Sequence, residues 1–341
     1  MRFFALLIFI FSCCSLFALP TEKAKPKEGE GIYRFLLNNG RDPKVHLEEF
    51  VELNKNILGK NNTLIKGVSY TLPSLSSESA KKHDIKESTE KSDANKNKKR
   101  EPLFGKKYAE YTVESNKLRG ATFFLVSGHG GPDCGAIGKA DGKDIHEDEY
   151  AYDIMLRLAR CLLVEGATVH IIIQDKNDGI RDDKILKNDK NETCRGKKIP
   201  LNQKKRLQQR CDEINALSKR SKDKYKRAVF IHLDSRSVNK QMDVFFYHHA
   251  KSAEGKRLGN TMRQTLKDQY QKFQPGRGFT GTVSSRELFV LNNTTPVSLF
   301  AELGNIRNDF DQRRFLLNSN RQALANWMCR GFIADYEKSK K

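Results

Sequence analysis

The chain predicts an α/β fold: a twisted, mostly parallel sheet flanked by helices, preceded by a small separate unit. Three observations carry this. From about Pro102 onward, short apolar segments alternate with longer stretches of helical periodicity, the order that places parallel strands between covering helices. Residues 74–101 hold Ser, Lys, Glu, Asp and Asn with almost no large apolar side chain, so they cannot bury a core. Residues 29–73 carry an apolar set of their own, near the lower size limit for an independent fold.

The elements follow in order. Arg2, the apolar run Phe3 to Phe11 and the small residues ending at Ala18 read as an export signal over residues 1–19. Export places the mature chain in the periplasm or cell envelope. Ile10-Phe11-Ser12-Cys13 loosely resembles a lipoprotein cleavage box, so lipid anchoring is the lesser alternative. In residues 29–73 we expect a βααβ unit, with a strand at Ile32 to Leu36, a helix at His46 to Asn54, a short second helix or turn, and a strand at Ser69 to Leu72. Residues 74–101 read as a disordered charged tether, its basic end Lys96 to Arg100 a solvated charge run. In residues 102–341, strands are expected at Thr122–Ser127, Thr168–Gln174, Ala228–Leu233, Val244–Tyr247, Glu287–Leu291 and Ser298–Leu303. Helices are expected at Glu147–Glu165, Gln203–Lys219, Ala253–Phe273 and Leu317–Lys338. The charged stretch Lys176 to Pro200 reads as a solvated surface loop, with a lid or regulatory insertion as the alternative.

The net charge of +20 favours an anionic partner: nucleic acid, membrane surface or an acidic polymer. Export argues against nucleic acid. Past Cys13 and Cys14, five cysteines remain, an odd and scattered set that is no disulfide framework, with Cys194–Cys211 as the one pairing to consider.

Chemistry concentrates at four residues. His129 and His232 stand at or just past the ends of apolar strands, Glu302 interrupts another, and Glu147 opens a helix. In open α/β sheets functional groups gather at strand ends. Two imidazoles and a carboxylate form a common protein ligand set for catalytic zinc, and a further carboxylate can move the proton. Each residue alone has a plainer reading: His129 as a turn residue in a glycine-rich loop, His232 as a core histidine, Glu302 as half of a buried ion pair.

Ordered motifs separate these readings. They are Gly128-His129-Gly130-Gly131-Pro132-Asp133-Cys134-Gly135-Ala136; Glu147; Leu207, Arg210 and Asn215, with Ile214 in an alanine place; Phe230-Ile231-His232; and Glu302, Gly304, Ile306, Asn308 and Asp311. From about Thr122 to Tyr336 the chain thereby resembles the zinc-dependent N-acetylmuramoyl-L-alanine amidases of bacterial cell-wall turnover. The resemblance implies the amidase (phosphorylase/hydrolase-like) sheet and cleavage of the amide between N-acetylmuramic acid and L-alanine of the stem peptide. It implies Zn2+ on His129, Glu147 and His232, with Glu302 as general base and then acid. It places Arg210, Asn215, Asp234 and Asn308 near the ligands or substrate. Asp234 departs from the asparagine usual there.

The first segment is similar to a LysM glycan-binding module through Tyr33, Leu53-Asn54, Ile65-Lys66-Gly67 and Leu72-Pro73. The family's opening Gly-Asp-Thr is replaced by Asn39-Gly40-Arg41-Asp42-Pro43. The partners implied are glycan strands and stem peptides of peptidoglycan, and a protein activator. The alternatives are a non-catalytic wall-binding protein and a zinc carboxypeptidase on stem peptides.

Overall fold

The computed structural model describes residues 22–27, 30–59, 63–74, 98–236, 238 and 240–340. The expected export signal and most of the expected tether lie outside the described residues. The chain divides into two compact units, the first ending before residue 90.

The first unit runs β1 (Lys23–Ala24), α1 (Ile32–Asn38), α2 (Pro43–Asn54) and β2 (Tyr70–Thr71), with β1 and β2 antiparallel. Ile32 to Leu36, expected as a strand, is helical. Ile32, Phe35 and Leu36 pack inward at helical spacing, while Tyr33 and Leu37 are exposed. The pairing strand β1 precedes Gly29, so the unit starts earlier than expected. Phe35, Phe50 and Tyr70 form an aromatic core with ring centroids 5.7, 6.1 and 6.0 Å apart. The Asn54 side chain fastens α2 to β2, donating to the Thr71 carbonyl and accepting from the Thr71 amide, both at 2.8 Å.

The second unit opens with β3 (Lys98–Arg100) antiparallel to β4 (Glu110–Thr112). The last residues assigned to the tether are therefore a strand. Its side chains are nonetheless exposed, with Lys98 paired to Glu110 at 2.6 Å. The chain continues through β5 (Ala121–Ser127), the hairpin β6 (Ile137–Ala140) and β7 (Lys143–His146), α3 (Glu147–Val164), β8 (Thr168–Ile171), β9 (Ile173–Gln174), β10 (Thr193–Cys194), β11 (Lys197–Lys198) and α4 (Gln203–Arg220). Next come β12 (Tyr225–Asp234), β13 (Phe245–His248), α5 (Ala253–Phe273), β14 (Thr282–Ser285), α6 (Phe289–Asn292), β15 (Val297–Asn305), α7 (Asp309–Leu316) and α8 (Asn318–Ser339).

Six strands form the central sheet in the order β14-β13-β15-β12-β5-β8. All neighbours are parallel except β13 against β15. The expected strand Glu287–Leu291 ends instead in the helical turn α6. The sixth strand is the short polar β14 at the sheet edge, whose side chains carry no apolar run to mark it.

Alternation along each strand builds two cores. Phe123 and Leu125 of β5, Val229 and Ile231 of β12 and Leu299 and Ala301 of β15 pack against α3, α5 and α8. Phe124, Val126, Ala228 and Phe230 face the other way, toward Cys211, Ile214 and Leu217 of α4. Cys194 and Cys211 share that second core as free thiols, so the disulfide considered from sequence is absent.

The stretch 176–200 is not a solvated loop. Ile180 and Leu186 enter the main core. β9, β10 and β11 make a three-stranded sheet. Buried Asp153 of α3 accepts from Arg157 at 2.7 Å, from Arg321 of α8 at 2.6 Å and from the Arg181 amide at 2.8 Å, which fastens the stretch to both helices. No helix among the described residues is long and apolar enough to cross a membrane.

Candidate metal centre

The parallel register sets His232 of β12 directly beside Glu302 of β15. Both lie on the α4 side of the sheet, two residues beyond Phe230 and Phe300, because side chains repeat every second residue. β5 ends one strand over. There Gly128 donates to the Ile231 carbonyl at 2.7 Å, continuing the pairing by one residue before the chain turns. His129 makes that turn at φ 61°, a left-handed conformation uncommon for a residue with a side chain and typical of strained functional sites. Arg210 of α4, buried, holds the turn by donating to the His129 carbonyl.

Glu147 reaches the same point from the first turn of α3. Its Oε1 faces His232 Nδ1 at 2.9 Å and accepts from the Leu233 amide at 3.1 Å. Its Oε2 faces His129 Nε2 at 3.3 Å and accepts from the Ala136 amide at 2.9 Å. One donor atom from each of His129, Glu147 and His232 lies within 4.8 Å of the others. His248 and His249 do not join this group.

The surroundings fit a metal. Imidazole and carboxylate suit zinc, and three protein ligands leave a position open. Two glycines keep the space clear: a Cβ on Gly128 would sit 2.3 Å from His232 Cε1, and one on Gly135 would sit 2.7 Å from both Glu147 Oε2 and His129 Cδ2. His129 Nδ1 bonds Asp133 Oδ2 at 2.9 Å, and Arg206 pairs with the same oxygen. A carboxylate behind a histidine ligand fixes the ring and raises its basicity. His232 stacks on Phe300, with ring centroids 4.3 Å apart.

The charges agree with this arrangement. Burial disfavours a charged His129, but Asp133 and Glu147 outweigh it and raise the pKa to about 10. Burial would raise Glu147, but the two imidazoles hold it well below the ordinary carboxylate range. Burial lowers His232. Glu302 is pushed up to about 8 by burial, then by the charges of Glu147 and Asp234, and its Oε2 is buried without a partner among the described residues. The alternative reading of Glu302 as half of a buried ion pair finds no cationic partner within salt-bridge distance among the described residues.

The remaining expected site residues divide. Arg210 supports the His129 turn. Asp234 lies beside Glu302 electrostatically and pairs with Arg236 at 2.8 Å. Asn308 caps α7 through the amides of Phe310 and Asp311, and donates to the Val238 carbonyl. Asn215 stands apart: it bonds Asn293 and Thr295, which precede β15 at the strand end opposite Glu302. Asp133, Arg206 and Phe300 also act here, though the sequence reading assigns them no role. Asp133, four residues after His129, and Phe300, two before Glu302 on the same strand face, were open to spacing arguments. Arg206 was not.

Residues 124–334, more than half of the chain, match the family described as N-acetylmuramoyl-L-alanine amidase. No curated protein matches. Among solved structures, the CwlD amidase from Clostridioides difficile, solved in complex with the GerS lipoprotein, is similar at 16% identity and TM-score 0.47, covering 64% of this chain and 98% of that one. The N-acetylmuramyl-L-alanine amidase Ami1 from Mycobacterium smegmatis gives 17% identity and TM-score 0.48, over 66% and 100%. The amidase AmiC2 of Nostoc punctiforme gives 20% and 0.45, over 66% and 99%.

Proposed function

This chain belongs to the N-acetylmuramoyl-L-alanine amidase family and is a peptidoglycan amidase; we propose that it works with zinc held by His129, Glu147 and His232. The observation that carries the reading is the convergence of those three side chains beside Glu302, whose Oε2 is buried without a partner among the described residues. When bound, zinc supplies a Lewis acid that polarises the scissile carbonyl and acidifies water. Glu302 takes the proton of the attacking water and returns it to the leaving nitrogen of L-alanine. A carboxylate raised to about 8 in the metal-free protein comes down toward the working range beside a cation, where proton transfer both ways is efficient. Asp133 and Arg206 hold the His129 ring, and Arg210 holds its backbone.

The first unit carries the chain to glycan strands as a LysM-like module. Its β-α-α-β order and the exposed Tyr33, Leu37, Val45, Leu53, Ile57 and Ile65 support this. The chain acts after export to the envelope, where its +20 charge favours an acidic wall polymer and makes wall binding weaken with salt. A chain joining the two units raises the effective substrate concentration at the catalytic centre. A protein activator fits among its partners.

The test is digestion of purified peptidoglycan with and without a chelator, followed by mass analysis. Intact stem peptides beginning at L-alanine, lost on chelation and restored by zinc, are expected. Free D-alanine would indicate a carboxypeptidase. Undiminished turnover by Glu302→Gln would overturn the assignment of the proton carrier.

A further inference from the structure

One residue beyond Glu147 the same helix start enters a second group of carboxylates that amide hydrolysis does not use. Asp148, Glu149 and Glu192 bring donor oxygens within 4.8 Å of one another, and so do Asp175, Asp189 and Glu192. Asp148, Glu149 and Asp175 are each 2% exposed and Glu192 is 6% exposed. Arg181 pairs with Glu149 at 2.8 Å and also with Asp178, one guanidinium among many acids.

The bonding of two of these side chains is half complete. Asp148 Oδ1 accepts from the Glu149 amide at 2.9 Å and from Asn188 at 3.4 Å, while its Oδ2 is buried with no partner among the described residues. Asp175 Oδ1 accepts from the amides of Asn177 at 2.6 Å and Asp178 at 3.2 Å, while its Oδ2 is likewise buried with no partner among them. Carboxylate oxygens taken out of water without a partner are expensive, and each of the two groups that meet at Glu192 holds one, which calls for a cation.

We propose that these two groups, Asp148 and Glu149 on one side of Glu192 and Asp175 and Asp189 on the other, bind a hard divalent cation of the calcium type at the Glu192 they share. The donor set is all oxygen, with no imidazole or thiolate, which selects against zinc and for Ca2+, Mg2+ or Mn2+. Ligands drawn from a helix start, a turn after β9 and the segment before β10 make an irregular shell, which Ca2+ tolerates and Mg2+ does not. The site braces the zinc ligands. Glu192 Oε2 accepts from the Gly131 amide at 2.7 Å, inside the loop that carries His129, and Asp148 adjoins Glu147. The cation would tie 176–200, the His129 loop and the start of α3 together.

The test uses the full chain saturated with zinc, so that the first centre is occupied. Tb3+ serves as probe, because the Tyr152 hydroxyl lies against Asp175, bonding its amide at 2.9 Å and its carbonyl at 3.2 Å. Tyrosine-sensitised terbium emission, displaced by Ca2+ at unchanged zinc content, is expected. Ca2+ at about one hundred times its Kd should raise Tm by about 5–10 °C. Asp148→Asn and Asp175→Asn should each lose most of both responses. Asparagine keeps an accepting oxygen for the amides that each Oδ1 now serves and has no charge to bury at any pH, so the cation-free Tm should be equal to or above that of the parent. Absence of displaceable terbium emission in the parent, or an undiminished Ca2+ response in both variants, would overturn the proposal. The parent's terbium signal decides the matter even if one variant does not fold.

Discussion

Replacing Gly128 by alanine puts one methyl group where the His232 ring stands. The built Cβ lies 2.3 Å from Cε1, 2.4 Å from Nδ1 and 2.7 Å from Nε2. Ordinary carbon contacts are about 3.5–4.0 Å, so the ring must retreat by roughly 1 Å or more. Phe300 stacks at 4.3 Å and resists that movement. The backbone cannot easily give way, because the Gly128 amide is bonded to Ile231 at 2.7 Å. Overpacking of this kind costs about 1–3 kcal/mol, or about 2–12 °C in Tm for a domain of this size. The larger effect falls on the centre. A displacement of about 1 Å breaks the 2.9 Å approach of Nδ1 to Glu147 and lowers kcat/KM by about 10²-fold, with zinc affinity down by at least about tenfold. Competition against a chromophoric chelator measures the affinity, and release of stem peptides measures the turnover. A Gly128→Ala protein that binds zinc like the parent and keeps kcat/KM within about threefold would refute His232 as a ligand held against this glycine.

Other perturbations separate the remaining roles. Asp133→Asn weakens the hold on His129 Nδ1, and zinc affinity should fall by about 10–100-fold while the fold persists, as chelator competition and circular dichroism would show. Glu302→Gln should retain zinc and lose about 10²–10⁴-fold in kcat; a loss of zinc instead would make Glu302 a ligand. In chelator-treated protein, Glu302 raised to about 8, Asp148 to about 9 and Glu192 to about 7 keep protons that the unfolded chain has released above about pH 4.5. The folded state then binds more protons, so Tm should fall as pH rises from about 5 to 9, and Glu302→Gln should flatten part of that slope; a Tm rising over this range contradicts the burial argument. Asp335 is fully buried and accepts from Tyr225 at 2.8 Å, Arg227 at 3.0 Å and Arg257 at 3.0 Å. Asp335→Ala strands a buried guanidinium and should cost about 3–5 kcal/mol by denaturant titration, with zinc affinity unchanged.

The order of the chain alone determined much of this protein. Apolar runs such as Phe123 to Val126 and Ala228 to Ile231 announce strands, since a strand buried on both faces must be apolar throughout. The end of such a run is then the place where a polar side chain can act, and His129, His232 and Glu302 stand there. The helix Ala253–Phe273 is legible in the sequence because Leu258, Met262, Leu266 and Tyr270 recur at helical spacing. Ile32–Leu36 and Glu287–Leu291 misled because a short apolar run has no period of its own, so packing decides between helix and strand. Polar β14 was invisible for the opposite reason.

Which side chains meet was a tertiary decision. Periodicity is local, whereas strand order and register come from burying two faces of one sheet at once. That order set β12 between β5 and β15, put His232 beside Glu302, and left Asn215 at the far strand end. It also folded the charged stretch 176–200 inward. Scattered acids that read as solvated became a buried group against the start of α3, because Ile180 and Leu186 had a core to enter and Asp153 had three donors to satisfy.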